Sequence, residues 1–316
     1  MPSGSENGAK VRYLVVKEDA EGQRIDNFLM ARLKGVPKSW VYRVLRRGEV
    51  RVNKGRVKPT RKLALGDEVR IPPVRQAERE TTAPGTGMQQ WISDSILFED
   101  DQLLVVNKPS GVAVHGGSGV SHGVIEALRA ARPNAPYLEL AHRLDRDTSG
   151  CLLVAKKRSA LTQLQKLQLS GRVDKRYLAL LDGRWRKGRV TADAPLQKNT
   201  LKSGERMVRV DAAGKPAITH FEVLDRYQQA MLVEAKLETG RTHQIRVHAQ
   251  HLGAPIAGDP KYAPDERNRA FKTLGLNRLF LHAWRLNFPW EGRSEPYRFE
   301  APLPDELQRV LDKLEK

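Results

Sequence analysis

AHRLDRDTSGCLLVAKK, residues Ala141 to Lys157, crowds two acids, two arginines, a histidine, a threonine, a serine and a glycine into the nine positions from His142 to Gly150, then turns at once into an apolar run. Cys151 to Ala155 reads as a strand buried on both faces, because no polar residue alternates with the apolar ones. The polar residues therefore belong to a loop at the lip of a sheet, where a rigid scaffold can aim them. Their spacing, Asp-x-Asp-x-Ser-Gly, imitates the opening of a calcium loop. That loop needs a bidentate acid at its twelfth position, and counting from Asp145 the twelfth residue is Lys156. A glycosidase pair is a poor fit for these two acids alone, since its carboxylates must flank a bond from opposite sides, roughly 5 to 9 Å apart. Asp147, Thr148 and Ser149 suit local backbone hydrogen bonds that shape the loop. Asp145 is different. Bracketed by Arg143 and Arg146, it is expected to stay ionised, which suits a nucleophile or base acting on a substrate held nearby.

Strand patterns surround this loop: ILFED, QLLVVNKP, RYLALLDG, THFEVLDRY, AMLVEAKLETG and RLFLHAWRLNF, with helices expected at Val124 to Ala131 and Ser159 to Leu169. Strand runs with dispersed helices predict an α+β domain around a mixed or antiparallel central sheet. A second polar cluster lies in LETGRTHQIRVHAQHLGAPIAGDPKY, Leu237 to Tyr262, where Arg241 and Arg246 flank His243 on a strand turning into a helix. His243, His248 and His251 match no zinc spacing such as His-Glu-x-x-His, so no metal is expected. Tyr177, opening a strand in VDKRYLALLDG, reads by itself as an ordinary core aromatic. NKPSGVAVHGGSGVSHG, from Asn107, holds no phosphate-loop pattern, and Gly117 and Gly119 are followed by Gly123 one residue too late for a dinucleotide fingerprint. No nucleotide cofactor is expected.

Charge points to a polyanion. The 316 residues carry a net +18, and residues 22–75 alone hold 15 Lys or Arg against 4 Asp or Glu, while residues 91–316 hold 36 against 27. So dense a basic segment attracts nucleic acid. Within it, RIDNFLMARL places Ile25, Phe28, Leu29 and Leu33 on one helical face. Ser39 is the expected N-cap of a second helix that buries Val41, Val44 and Leu45, presents Arg43, Arg46 and Arg47 opposite, and stops at Gly48. A hairpin turning at Asn53-Lys54-Gly55 and a closing LALGDEVRIP complete the unit, with Lys54 at its tip. The domains expected are an N-terminal extension at 1–21, this module at 22–75, a flexible polar linker at 76–90 and a larger domain at 91–316. One cysteine excludes a disulfide framework. No stretch of about 20 apolar residues and no secretion-signal pattern stand out, so no membrane partner and a cytoplasmic location are expected.

On the residues RIDNFL, the basic second helix, GEVRVNKG and GDEV, the module resembles the αL-type RNA-binding domain shared with ribosomal small-subunit protein four. HRLDRDTSG, KRYLAL and TGRTHQIRVH, led by NKPSGVAVH and closed by LHAWRLNF with APLP, together resemble the pseudouridine synthases that modify ribosomal and transfer RNA. Within that family the combination is most similar to the enzymes of the large ribosomal subunit. The resemblance implies a pseudouridine synthase fold and isomerisation of uridine in structured large-subunit ribosomal RNA, with no cofactor. A monomer is expected, because RNA binding supplies the partner. The resemblance also implies that Asp145 is the indispensable carboxylate, attacking the sugar or taking a proton from it, that Arg246 pairs with it, and that Tyr177 stacks on or beside the uracil. Arg143 would fill the space left by a flipped base, and Ile245 would wall the pocket. Arg241, His243 and Thr148 are the further substrate-binding candidates, with His142 supporting the loop. A non-catalytic RNA-binding or ribosome-assembly factor is the alternative, as is an N-glycosylase, which would release free base where an isomerase releases nothing.

Overall fold

The computed structural model describes residues 10–33, 35–74, 85–117, 122–200 and 206–316. The chain divides into two compact units, Met1–Ala83 and Pro84–Lys316.

In the first unit, helices Ile25–Arg32 and Lys38–Arg47 pack on a four-stranded antiparallel sheet ordered Arg12–Val15, Glu68–Ile71, Arg51–Val52, Gly55–Arg56. Ile25, Phe28, Leu29, Leu33, Val41, Val44 and Leu45 are buried with Val52, Val69 and Ile71, on the faces that the periodicity predicts. Two details differ from the sequence reading. The second helix begins at Lys38 with Pro37 as its N-cap, not Ser39, because proline's fixed φ presents the helix start without a side-chain cap. Strand Arg12–Val15, inside the stretch read as an extension, pairs along Glu68–Ile71 and satisfies that strand's outer edge. The hairpin turns on two residues, Asn53 and Lys54, both at positive φ (49° and 66°), the geometry whose twist matches antiparallel strands. Asn53 suits it, because its side chain donates to Asp67 (2.7 Å) and accepts from the Glu68 N–H (2.8 Å).

The second unit is built on a mixed sheet. Its strand order is Arg189–Asp193, Ile218–Arg226, Ala230–Leu237, Asp174–Asp182, Leu281–Phe288, Ser149–Ala155, Leu103–Lys108, Ile96–Glu99, with short strands Glu139–Leu140 and Tyr297–Glu300 added alongside. Every pairing is antiparallel except Leu281–Phe288 with Ser149–Ala155. The continuous apolar runs have a simple cause: the sheet's central strands are buried on both faces. Leu103, Val105, Cys151 and Leu153 face one core, under helix Arg158–Leu169. Leu104, Val106, Leu152 and Val154 face the other, under helices Val124–Ala131 and Asp305–Asp312. Of the stretch read as a linker, residues 76–84 lie outside the described residues, and helix Thr86–Asp94 occupies its last positions, burying Ile92 beyond them.

Candidate active site

His142 to Thr148 forms the loop ahead of strand Ser149–Ala155, and its shape is fixed by neighbours from outside the loop. Lys108 is fully buried and donates to the carbonyls of Pro109 (2.7 Å), Val112 (2.8 Å) and Arg146 (2.9 Å). Burial pulls its ammonium down to about 7, and those three acceptors take its protons. Ser110 adds a bond to the Asp147 carbonyl (2.8 Å). The NKPSG stretch, read above for a phosphate loop, thus braces the polar loop. Gly150 closes it. At φ 107° it lies so near strand Leu281–Phe288 that a Cβ would meet the Ala283 carbonyl oxygen at 2.2 Å. Ser149 is tied at long range rather than locally, accepting from Arg278 (2.8 Å) and bonding His282 (2.8 Å). His142 accepts the Leu153 N–H at Nε2 (3.1 Å); burial, aided by the charge of Lys175, holds its imidazole neutral, down to about 3.

Asp145 projects from this loop into a cleft of about 760 Å³. Its cationic neighbour is not an adjacent arginine. Arg146 pairs with Asp147 (3.2 Å) and Arg143 is exposed at the cleft. Instead Arg246 Nη1 stands 3.8 Å and His243 Nε2 3.9 Å from Asp145 Oδ2. Arg246, 2% exposed, gives its two hydrogen bonds to Asp259, Nε to Oδ2 and Nη2 to Oδ1, each 2.7 Å. Asp259 is 0% exposed and also accepts the Lys261 and Tyr262 N–H groups. In the sequence, GDPKY carries nothing that marks Asp259 for this role. Arg246 therefore faces Asp145 while being held by a second acid.

The turn that delivers Arg246 is fastened by Gln244. Its side chain accepts from Thr239 (2.7 Å) and the Arg241 N–H (3.0 Å), and donates to the Ile218 carbonyl (2.9 Å) and Thr219 (3.0 Å). His243, just before helix Gln244–His251, adopts the left-handed region at φ 54°, a strained choice for a non-glycine residue. Its Nε2 faces the Asp145 carboxylate, which favours a proton there and leaves Nδ1 to accept from the Tyr262 hydroxyl (2.8 Å), itself an acceptor of the Val208 N–H (3.0 Å). Burial lowers the His243 pKa against the opposing pull of Asp145. His248 uses both nitrogens elsewhere, on Thr219 and the Ala194 carbonyl. Among the described residues no group of three or more His, Cys, Asp or Glu is placed to hold a metal.

Tyr177, buried on strand Asp174–Asp182, lines the same cleft, and burial with the nearby Asp145 charge raises its pKa well above the usual phenol value. Ile245, Thr148, Arg143, Arg241 and His243 line it too, so every catalytic and substrate candidate reaches one cavity. Arg241 is also tethered, donating to the Pro216 carbonyl (3.1 Å). Leu169, 90% exposed, stands on the rim. In the first unit Arg43, Arg46, Arg47 and Lys54 are all exposed, the three arginines on one helix.

Family comparison meets this geometry at the same residues. A model described as RNA pseudouridylate synthase matches residues 102–251, which include Lys108, Asp145, Tyr177 and Arg246, and an S4 domain model matches residues 23–69. The chain is 57% identical over 308 residues to the ribosomal large subunit pseudouridine synthase C of Escherichia coli O157:H7, covering 96% of this chain and 97% of that one. The chain belongs to the RNA pseudouridylate synthase family. The protein of the same description from Haemophilus influenzae is 54% identical, covering 97% of this chain and 96% of that one. Among solved structures, human RNA pseudouridylate synthase domain containing 4 superposes with a TM-score of 0.61 at 27% identity, covering 73% of this chain and 97% of that one. The synthase-matched residues carry the acid, the tyrosine and the arginine; Asp259 and Tyr262, which hold the last of these and His243, lie beyond residue 251.

Proposed function

We propose that this enzyme isomerises uridine to pseudouridine in large-subunit ribosomal RNA, with Asp145 as the catalytic carboxylate. One observation carries the reading: a carboxylate in an open cleft, beside a buried tyrosine, faces a guanidinium that a second, fully buried acid keeps in place. The names of the relatives in Escherichia coli and Haemophilus influenzae support ribosomal RNA of the large subunit as the substrate. In the reaction the C1′–N1 bond breaks, the uracil turns, a C1′–C5 bond forms, and the proton lost from C5 is balanced by one gained at N1. Asp145 either attacks C1′ or removes a sugar proton; both need its oxygen beside the ribose with Arg246 behind it. Tyr177 supports the uracil, and Ile245 walls it.

A base inside a helix must leave the stack first, at a few kcal/mol. Arg143, exposed at the cleft, supplies a flat guanidinium for the vacated space. Arg43, Arg46, Arg47 and Lys54 of the first unit hold RNA through phosphates, with Arg241, His243 and Thr148 contacting the target nucleotide. The chain works as a monomer in the cytoplasm, and the chemistry needs no metal or organic cofactor, so turnover continues in excess chelator. Carbodiimide mapping of large-subunit RNA, incubated with wild type and with Asp145→Asn, tests the reading. New stops with wild type alone support it. Stops with both variants remove Asp145 from the role, and tight binding without stops favours a ribosome-assembly factor.

A further inference from the structure

Two residues before Tyr177, on the same face of strand Asp174–Asp182, the chain carries Lys175 into the same cleft. Register fixes it there, opposite Leu286 on one neighbouring strand, while Tyr177 stands opposite Ala235 on the other. The intervening Arg176 is satisfied by Asp174 (2.9 Å) and Glu234 (2.8 Å). Lys175 is not. Among the described residues no hydrogen bond or ion pair to its ammonium is found, although the side chain is partly buried. The acids of the cleft are engaged otherwise, Asp145 with Arg246 and His243, and Glu238 with His220 (2.5 Å). Burial alone lowers the Lys175 pKa, with no carboxylate opposing it.

A partly buried ammonium in an open cleft, with no carboxylate paired to it, leaves room for an anion to complete the pair. The missing anion is one that the substrate brings, since RNA carries a phosphate at every nucleotide. Position favours a phosphate over the uracil. Asp145 stands with Arg246 and His243, while Lys175 lies two residues, roughly 6 to 7 Å along the strand, from Tyr177. Along the chain it also follows the exposed rim residues Leu169 and Gly171, which line the same cleft.

We propose that Lys175 is a phosphate-binding residue, whose ammonium takes the phosphodiester of the uridine held beside Tyr177 and completes an ion pair that the free protein leaves open. The proposal rests on the RNA-isomerase reading and deepens it. The test uses the full-length protein and a large-subunit ribosomal RNA transcript, with Lys175→Met, of similar length but uncharged, and Lys175→Arg, which keeps the charge. Filter binding is measured between roughly 50 and 200 mM salt, beside kcat and KM. Lys175→Met is expected to raise Kd and KM about tenfold and to flatten the plot of log affinity against log salt by about 0.7 to 0.9, the value of one phosphate contact. Its kcat stays near wild type, its melting temperature does not fall because no ion pair is lost, and Lys175→Arg restores the salt slope. An unchanged salt slope overturns the proposal, whether or not the melting temperature falls. A loss confined to kcat also overturns it, by placing the ammonium on the uracil. If wild type leaves every uridine unconverted while Lys175→Met still loses the slope, the isomerase reading fails and the phosphate contact stands.

Discussion

Replacing Asp259 by asparagine preserves the shape of the side chain and removes its charge. In wild type both acid oxygens accept from Arg246 at 2.7 Å, and Oδ1 also takes the N–H groups of Lys261 and Tyr262. An asparagine oriented to keep those backbone bonds turns its amide N–H toward Arg246 Nε, donor against donor. The guanidinium, 2% exposed, is left without its main counter-charge. Breaking one side of so buried a pair costs about 3 to 5 kcal/mol. For a unit the size of Pro84–Lys316, at about 2 to 4 °C per kcal/mol, the expected fall in melting temperature is roughly 6 to 20 °C. Arg246 then has one acid within reach, Asp145 at 3.8 Å, and is drawn toward it. If Asp145 is the catalytic carboxylate, as proposed, displacing it by about 1 Å is expected to lower kcat about 10²-fold. Thermal unfolding, together with release of tritium from RNA labelled at uridine C5, reads both effects. A melting temperature within about 1 °C of wild type with unchanged kcat would refute the claim that Asp259 holds the arginine in place.

Acidification gives a second check. The buried His282 imidazole is pushed down from 6.5 to about 4 by burial, donating to the Ala301 carbonyl and bonding Ser149. Between those values the unfolded chain binds the extra proton and the folded one does not. The stabilisation is therefore full above pH 6.5 and lost as pH falls toward 4, to the extent of roughly 3 kcal/mol. Urea midpoints should fall more steeply with acid for wild type than for His282→Gln; parallel profiles would exclude the effect. Gly150→Ala puts a Cβ 2.2 Å from the Ala283 oxygen at a positive φ, and is expected to lower the melting temperature and the activity together. Arg46→Glu with Arg47→Glu should flatten the salt dependence of RNA affinity by about two contacts, or more with the added repulsion, and leave kcat at saturating RNA near wild type. An unchanged slope would remove the basic helix from the RNA interface.

The parts of the fold visible in the sequence are those whose cause is local. LLVV and CLLVA announce strands covered on both faces, and the spacing of Val41, Val44 and Leu45 announces a helix with a buried stripe, whatever lies elsewhere in the chain. The loop bearing Asp145 is legible for the same reason, being a run of polar residues before an apolar strand. What stayed hidden is set by tertiary pairing. Nothing adjacent to Asp259 says that it will meet Arg246, thirteen residues earlier across a helix end, and GDPKY looks like a common turn. The bracing role of Lys108 depends on three carbonyls, one of them 38 residues away, and nothing in NKPSG announces it. The bracketing of Asp145 by Arg143 and Arg146 does not become an ion pair, because in the turn from Asp145 to Thr148 Arg146 pairs with Asp147, and the cation facing Asp145 arrives from another element. Helix Thr86–Asp94 begins in a polar stretch without clear apolar periodicity.

The double attachment of Arg246 bears on what happens when Asp145 loses its charge. If Asp145 becomes an ester to the sugar, or takes up a proton, a guanidinium paired with it alone would be stranded in the protein interior at the moment of reaction. Because the strong bonds of Arg246 run to Asp259, its charge stays neutralised before, during and after the step. The interior has no charge to re-house, the neighbouring dipoles need not turn, and Asp145 can pass between anion and neutral group inside a frame that does not relax around it.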